Sequence, residues 1–163
     1  MDCETQKLLA RLILSTRLAT LATLSEDLPQ ATLVTFAPAN DFSAFYLHLN
    51  RLSLHAIDLQ KEPRLGLLIA ETDDGRADPQ TLARLSLRGS AEILPLGVPG
   101  YMLAKQLYLA RFPQAQKRFN LSEFDLWRIS PKGAYFTDDS GHTFNLTVEA
   151  LMEASQASSE EEG

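Results

Sequence analysis

The segment that most constrains the fold is LARLSLRGSAEIL, residues 82–94, in which polar residues alternate strictly with apolar ones or glycine from Ala83 to Ile93. Leu85, Leu87 and Ala91 fall on one face of an extended chain, and the polar residues between them fall on the other. This pattern predicts a β-strand with one buried and one wetter face. Such a strand is typical of an antiparallel sheet and argues against a doubly wound parallel sheet, whose strands are buried on both faces.

Further strands are predicted where β-branched, aromatic and apolar residues cluster between turn residues. They cover residues 18–24, 30–37, 44–49, 64–71, 124–131 and 133–138. Helices, predicted from the helical spacing of apolar residues, cover residues 5–17, 53–62 and 99–112. Because strands outnumber helices and short turns join them, we expect an antiparallel sheet closed into a β-barrel with flanking helices, an α+β fold. We expect this domain, with its N-terminal helix, over residues 1–146, and a C-terminal helix and acidic tail over residues 147–163.

Composition and charge exclude several classes of function. The 163 residues suit one domain, and their formal net charge of -6 does not suit the neutralisation of phosphates that nucleic-acid binding requires. No apolar run is long enough to span a membrane, and the charged N-terminus does not resemble a secretory signal. Cys3 is the only cysteine, which excludes a disulfide within the chain and favours a cytoplasmic location.

The sequence contains none of the standard enzyme motifs. It has no glycine-rich phosphate loop, no metalloprotease HExxH, no GxSxG and no EF-hand loop. The three histidines, His48, His55 and His142, lie far apart and lack the spacing of metal ligands. We therefore predict no metal site and assign no catalytic residue.

The clearest candidate for a binding site is the stretch NRLSLHAIDLQKEPRLGLLI, residues 50–69. Ser53 stands where a predicted helix begins, and the free N–H groups and positive dipole end of such a helix favour a phosphate. His55 lies in the first turn and adds a possible donor. The alternative is that Ser53 only caps its own helix and that His55 is a solvated side chain.

Four stretches of the chain together resemble a known family. They are ATLATLSEDLPQATLVTFA, FYLHLNRLSLHAIDLQKEPRLGLLI, ARLSLRGSAEIL and RFPQAQKRFNLSEFDLWRISPKGAYF. Their order and spacing, from about residue 8 to about residue 146, resemble the pyridoxamine 5'-phosphate oxidase-like, FMN-binding split-barrel proteins, nearest their haem-utilisation branch of the HugZ and HutZ type. The resemblance implies an antiparallel FMN-binding split barrel, a homodimer with FMN at its interface, and an oxidoreductase whose small-molecule substrate the sequence does not identify.

The resemblance also implies which residues contact the cofactor. The phosphate is placed at Ser53, Leu54 and His55, where the oxidases carry Ser-Arg-Lys; Leu54 therefore removes a permanently charged phosphate clamp. The implied cofactor-binding residues are Thr32, Leu33, Thr35, Asn50, Ser53, His55 and Arg84. Each has a structural alternative, since the threonines are ordinary strand residues and Arg84 fits a surface charge.

Two other functions stay open at this point. The haem-utilisation relatives bind haem with a histidine in a C-terminal loop, and the matching stretch TDDSGHTFN makes His142 the candidate haem ligand. The alternative for His142 is a solvated turn residue. A barrel that has lost its cofactor is the third hypothesis, because Ala31, Phe36 and Leu54 stand where the oxidases carry basic residues.

Overall fold

The alternating segment forms a central strand of one eight-stranded antiparallel sheet. The computed structural model describes residues 1–157. The strands are β1 (Leu18–Ser25), β2 (Leu28–Thr35), β3 (Ala37–Pro38), β4 (Phe45–Asn50), β5 (Arg64–Ala70), β6 (Arg84–Leu94), β7 (Phe124–Thr137) and β8 (Thr143–Leu146). The helices are α1 (Cys3–Ser15), α2 (Leu54–Lys61), α3 (Tyr101–Arg111), α4 (Gln116–Phe119) and α5 (Val148–Ala157).

The order of the strands shows how the sheet curls. The hydrogen-bonded order is β2-β1-β5-β6-β7-β4-β3, with β8 on β7, and each pairing is antiparallel. β2 and β3 lie at opposite ends of this order, yet only Phe36 separates them in the chain. The two ends must therefore come together, and Phe36 between them is fully buried in the apolar core. The predicted fold class, an antiparallel split barrel with flanking helices, is confirmed.

Two apolar clusters fill the molecule. The larger one lies inside the barrel and includes Leu21, Leu47 and Leu87, with Leu9 of α1 and Leu151 of α5 packed against it. The smaller one covers the other face of β4 with α3 and the segment that follows it, through Tyr46, Tyr108 and Phe112. Because both faces of β4 are covered, this strand is buried along almost its whole length.

The sequence predicts two strands at residues 124–131 and 133–138, but the structure has one strand there, β7, which continues through Lys132. The register places Arg88 opposite Gly133 and Gly89 opposite Pro131, so Lys132 is an extra residue, a β-bulge. A Cβ on Gly89 would lie 2.4 Å from the carbonyl oxygen of Ser130. The bulge is therefore compatible only with a residue that has no side chain at position 89.

The C-terminal part of the chain holds two elements relevant to the predictions. β8 is a strand that the sequence did not predict, and it follows His142 directly. α5 packs against α1, so the proposed division of the chain at residue 146 stays a prediction. The acidic end of the predicted tail, residues 158–163, lies outside the described residues. Within residues 1–157, no helix is long and apolar enough to cross a membrane.

Candidate functional site

A cavity of about 330 Å³ lies where the ends of β2 and β4 meet the beginning of α2. Its lining consists of Leu18, Leu33, Val34, Thr35, His48, Leu49, Asn50, Ser53 and His55. Most of the predicted cofactor-binding residues are therefore brought together here, from three separate elements. The wall is mixed: leucines and valine supply apolar surface, and a few polar groups converge on the same space, as is typical of small-molecule sites.

The beginning of α2 has free backbone donors. Ser53 occupies the N-cap position with an extended backbone, but its side chain makes no capping hydrogen bond. Its hydroxyl instead donates to the carbonyl oxygen of Asn50, at 2.6 Å. The first hydrogen bond into the helix runs from the N–H of Ile57 to the Ser53 carbonyl. The N–H groups of the first turn, from Leu54 to Ala56, thus find no acceptor within residues 1–157, and they are free to bind an anion.

His55 stands in this first turn and is partly buried. Burial lowers the pKa of His55 below its usual value, and the negative charge of Asp58 opposes that shift. Asp58 itself is 3% exposed and accepts a hydrogen bond of 3.0 Å from the hydroxyl of Thr23. The imidazole is therefore held as a neutral donor or acceptor that an anion in the cavity would help to protonate.

Little positive charge faces the cavity. Leu54, which stands where the resemblance implies an arginine in the oxidases, is an apolar side chain that is 49% exposed. The neighbouring cation, Arg51, is engaged by Asp125 through two hydrogen bonds of 3.0 and 2.8 Å. Anion binding here therefore depends on backbone N–H groups and on the helix dipole.

Two polar side chains of the wall are fixed by hydrogen bonds from outside it. The Thr35 hydroxyl lies 2.7 Å from the Tyr108 hydroxyl, which α3 buries beneath the wall. The Asn50 side-chain oxygen accepts a hydrogen bond of 2.8 Å from the N–H of Leu52, so its amide nitrogen is the group left to meet a ligand. Both positions are thus preorganised.

His48 lines the same cavity, although the sequence did not identify it as a site residue. Its ring is 8% exposed and stacks on Phe119, with 3.7 Å between ring centroids and 6° between ring planes. The alternation of β4 placed His48 on the face away from the barrel interior. The apolar residues of 99–112 are the signal that this face is covered, because an amphipathic helix needs a surface to pack on.

Thr32 and Arg84 do not line the cavity. The Thr32 hydroxyl is buried and has no hydrogen-bond partner within residues 1–157. Arg84 pairs with Thr137 at the far end of β7, whereas Asn50 pairs with Phe124 at its beginning. The guanidinium of Arg84 donates to nearby backbone carbonyls. A role for these two residues in cofactor binding stays a prediction.

His142 also lies away from the cavity, on the hairpin between β7 and β8. Its side chain is 80% exposed, and its Nδ1 lies 2.7 Å from the Ser140 hydroxyl. Asp138 holds the hairpin by accepting hydrogen bonds from the N–H groups of Ser140 and His142. Residues 1–157 contain no group of three or more His, Cys, Asp or Glu placed to hold a metal ion.

A larger cavity, about 450 Å³, adjoins the first one through Leu18. Its charged side chains neutralise one another, since Arg76 lies 2.9 Å from Asp74 and 3.6 Å from Glu71. The helix end that lines it, Ser15 and Thr16 of α1, is a C-terminus, whose partial negative charge does not suit an anion. The smaller cavity is therefore the better candidate for a binding site.

The curled antiparallel sheet, the helices around it and the cavity at the start of α2 define a split-barrel domain with a candidate small-molecule site. Residues 5–138 match the family described as pyridoxamine 5'-phosphate oxidase, and the chain belongs to that family. The resemblance seen in the sequence is thereby confirmed. No curated protein matches the chain in sequence.

Solved structures share this fold. A haem-binding protein from Mycobacterium smegmatis is similar over 91% of this chain and 60% of its own, with a TM-score of 0.81 and 24% identity. HutZ, described as the haem storage protein of Vibrio cholerae, is similar over 87% of this chain and 100% of its own, with a TM-score of 0.74 and 16% identity. General Stress Protein 26 from Bacillus anthracis is similar over 89% of this chain and 100% of its own, with a TM-score of 0.65 and 18% identity. The present chain thus spans 60% of the length of the first protein and the full length of the other two.

Proposed function

We propose that the chain binds FMN in the cavity at the start of α2 and acts as an FMN-dependent oxidoreductase on a small-molecule substrate. The observation that carries this proposal is the free first turn of α2. Because the Ser53 hydroxyl turns back to Asn50, the N–H groups of Leu54, His55 and Ala56 have no acceptor within residues 1–157. These donors and the helix dipole suit the phosphate of FMN.

The rest of the cavity suits the remainder of the cofactor. Leu33 and Leu18 offer apolar surface. Thr35 and Asn50 offer polar groups, which the Tyr108 hydroxyl and the backbone N–H of Leu52 hold in place. When bound, FMN supplies the redox chemistry, and these residues bind it, orient it and exclude water. Since Leu54 contributes no charge, we expect weaker binding than an arginine clamp would give.

We further propose that the chain works as a homodimer. A row of residues crosses the outer face of the sheet: Leu33 lies opposite Thr20, Thr20 opposite Leu68, Leu68 opposite Ser86, and Ser86 opposite Tyr135. Leu33 is 68% exposed, Leu68 40% and Tyr135 43%. Leu33 also lines the cavity, so a second copy on this face would complete the site. In such a dimer, Arg84 and the backbone of Thr32 of either copy remain candidates for cofactor contacts.

The proposal is tested by titrating the protein with FMN and with riboflavin, which lacks the phosphate. Leu54 is the first residue of α2, where proline is tolerated, and Ser53 before it is already extended, as a residue before proline must be. Leu54→Pro thus deletes one free N–H and keeps the helix. We expect FMN binding at one per chain, weakened about tenfold in Leu54→Pro and unchanged for riboflavin.

Leu54→Ala is the matched control, because it shortens the side chain and keeps the N–H. It should bind FMN as the wild type does. If Leu54→Pro and Leu54→Ala bind FMN equally well, the phosphate does not lie at the start of α2. If the wild type binds no FMN at all, the proposed function is wrong.

Haem is the second candidate ligand, favoured by the structural likeness to proteins described as haem-binding. His142 is the candidate ligand, since its Nδ1 faces Ser140 and its Nε2 is left for iron. Haemin binding that His142→Ala abolishes would support this function.

A cytoplasmic location remains part of the proposal and rests on the use of a single cysteine.

A further inference from the structure

His48 is a buried polar side chain that the proposed binding of FMN does not yet use. It is 8% exposed and forms part of the cavity wall. Its Nδ1 is shut off from solvent and has no hydrogen-bond partner within residues 1–157. Phe119 stacks on the ring, and Tyr108 and Phe124 contact it from the sides. Since Nδ1 is closed off, the other ring nitrogen, Nε2, is the one left to meet a ligand.

The surroundings of His48 keep its ring uncharged. Burial lowers the pKa of His48 from 6.5 to about 4, and the positive charges of Arg118 and Lys105 add to that effect. The carboxylate of Asp125 opposes it in part. These groups come from three elements: Arg118 from α4, Asp125 from β7 and Lys105 from α3. At neutral pH the imidazole is therefore neutral.

A neutral imidazole carries one N–H and one lone pair. An orphaned N–H in a protein interior is rarer than an under-satisfied acceptor. We therefore assign the lone pair to the closed-off Nδ1 and the proton to Nε2. Since His48 makes no hydrogen bond within residues 1–157, this N–H is available to a ligand in the cavity.

We propose that His48 is a specificity-determining residue of the cavity, whose Nε2–H donates a hydrogen bond to a carbonyl oxygen or unprotonated ring nitrogen of the bound flavin. This inference rests on the proposed function. It goes further in that the ring system of the flavin, and not its phosphate, contacts His48. Ligands whose ring presents a donor or a positive charge at this point are rejected, because two donors would face each other.

The experiment measures the affinities of the wild type, His48→Phe and His48→Asn for FMN and for riboflavin by flavin fluorescence. Phenylalanine keeps a flat ring to stack on Phe119 and removes both nitrogens, whereas asparagine keeps a donor. We expect His48→Phe to weaken the binding of both flavins by the same factor, about tenfold, and His48→Asn to lose less. Thermal unfolding of each variant checks that it is folded.

Each other outcome has a separate meaning. If the wild type and His48→Phe bind flavins with the same affinity, this inference is wrong and the proposed function still stands. A loss for FMN alone also overturns it, because the contact would then be with the phosphate. Wild type that binds neither flavin overturns both. Independently of any ligand, ¹⁵N NMR of the imidazole must show the proton on Nε2, and a proton on Nδ1 contradicts the inference.

Discussion

The imidazole of His48 and the ring of Phe119 lie nearly parallel, 3.7 Å apart between centroids, at the junction of the cavity and the smaller apolar cluster. The stack joins β4, which lines the cavity, to α4, which lies outside the barrel. It also encloses a titratable ring among positively charged neighbours. A buried ring of this kind links the protonation of one residue to the stability of the whole fold.

The free energy of unfolding should therefore fall as the solution is acidified from pH 6.5 towards pH 4. Well above pH 6.5 His48 is neutral in both states and contributes no pH dependence. Between pH 6.5 and its folded pKa of about 4, the unfolded chain binds a proton that the folded chain does not, and acid favours unfolding. One such proton changes stability by at most about 1.4 kcal/mol per pH unit. Urea unfolding at several pH values should give a smaller slope in His48→Phe, and equal slopes would contradict the prediction.

Leu54→Arg should increase the affinity for FMN about tenfold. The side chain is exposed beside the free N–H groups of α2, and a guanidinium there can bind a phosphate through two hydrogen bonds. Fluorescence titration measures the change. Leu54→Gln is the control for side-chain length without charge, and riboflavin affinity should not change in either variant. An equal gain for riboflavin would place the new contact on the wrong part of the ligand.

The pair formed by Thr35 and Tyr108 should contribute to stability as a unit. Thr35→Val leaves the buried Tyr108 hydroxyl without its partner at 2.7 Å and should lower the free energy of unfolding by about 1–2 kcal/mol. Removing the second hydroxyl as well, in Thr35→Val/Tyr108→Phe, should cost less than the sum of the single changes, with a coupling of about 1 kcal/mol. Additive effects in urea unfolding would show that the two hydroxyls do not interact.

Arg111 should stabilise the end of α1. From α3 it donates to the carbonyl oxygens of Ile13 and Leu14, at 3.2 and 3.0 Å, and to that of Thr16. Arg111→Met should lower the free energy of unfolding by about 2–3 kcal/mol, because these carbonyls lose a charged donor. Arg111→Lys keeps the charge near the helix end and should lose less. A loss as large in lysine as in methionine would mean that the guanidinium geometry, rather than the charge, carries the effect.

Leu68→Lys should dissociate the proposed homodimer, because Ser86 lies opposite it between Arg84 and Arg88, so the new positive charge meets no acid in the interface. Light scattering at a fixed protein concentration measures the change in mass. Leu96→Lys is the matched control, since Leu96 is 79% exposed on a turn outside the row that crosses the sheet. A monomeric wild type would be incompatible with a cavity completed by a second copy.

Much of the fold could be predicted because its signals are local. The alternation in β6 and the helical spacing of the apolar residues in α1 each predict which side chains of that element are buried. The bulge at Lys132 could not be predicted, because it depends on the approach of Ser130 to Gly89 from another strand. β8 is short and follows a polar turn, so its pairing with β7 decides its conformation more than its own residues do.

The site shows the same division between local and long-range information. Ser53 was predicted correctly at the beginning of a helix, but the direction of its hydroxyl depends on the backbone of Asn50. His48 was missed because alternation in a strand tells which face a residue is on and not what covers that face. Only the packing of α3 and α4 on β4 makes His48 a buried group.

The length of β7 also determines when during synthesis the barrel can form. β4 pairs with β7 through residues 45–50 and 124–129, and its other partner, β3, has two residues. A nascent chain that ends before residue 124 therefore carries β4 and one edge of β6 without their main partner, and such edges invite pairing with other chains. Closure of the barrel has to wait until β7, Phe124–Thr137, leaves the ribosome. Premature termination within β7 should yield aggregated chains rather than a smaller folded domain.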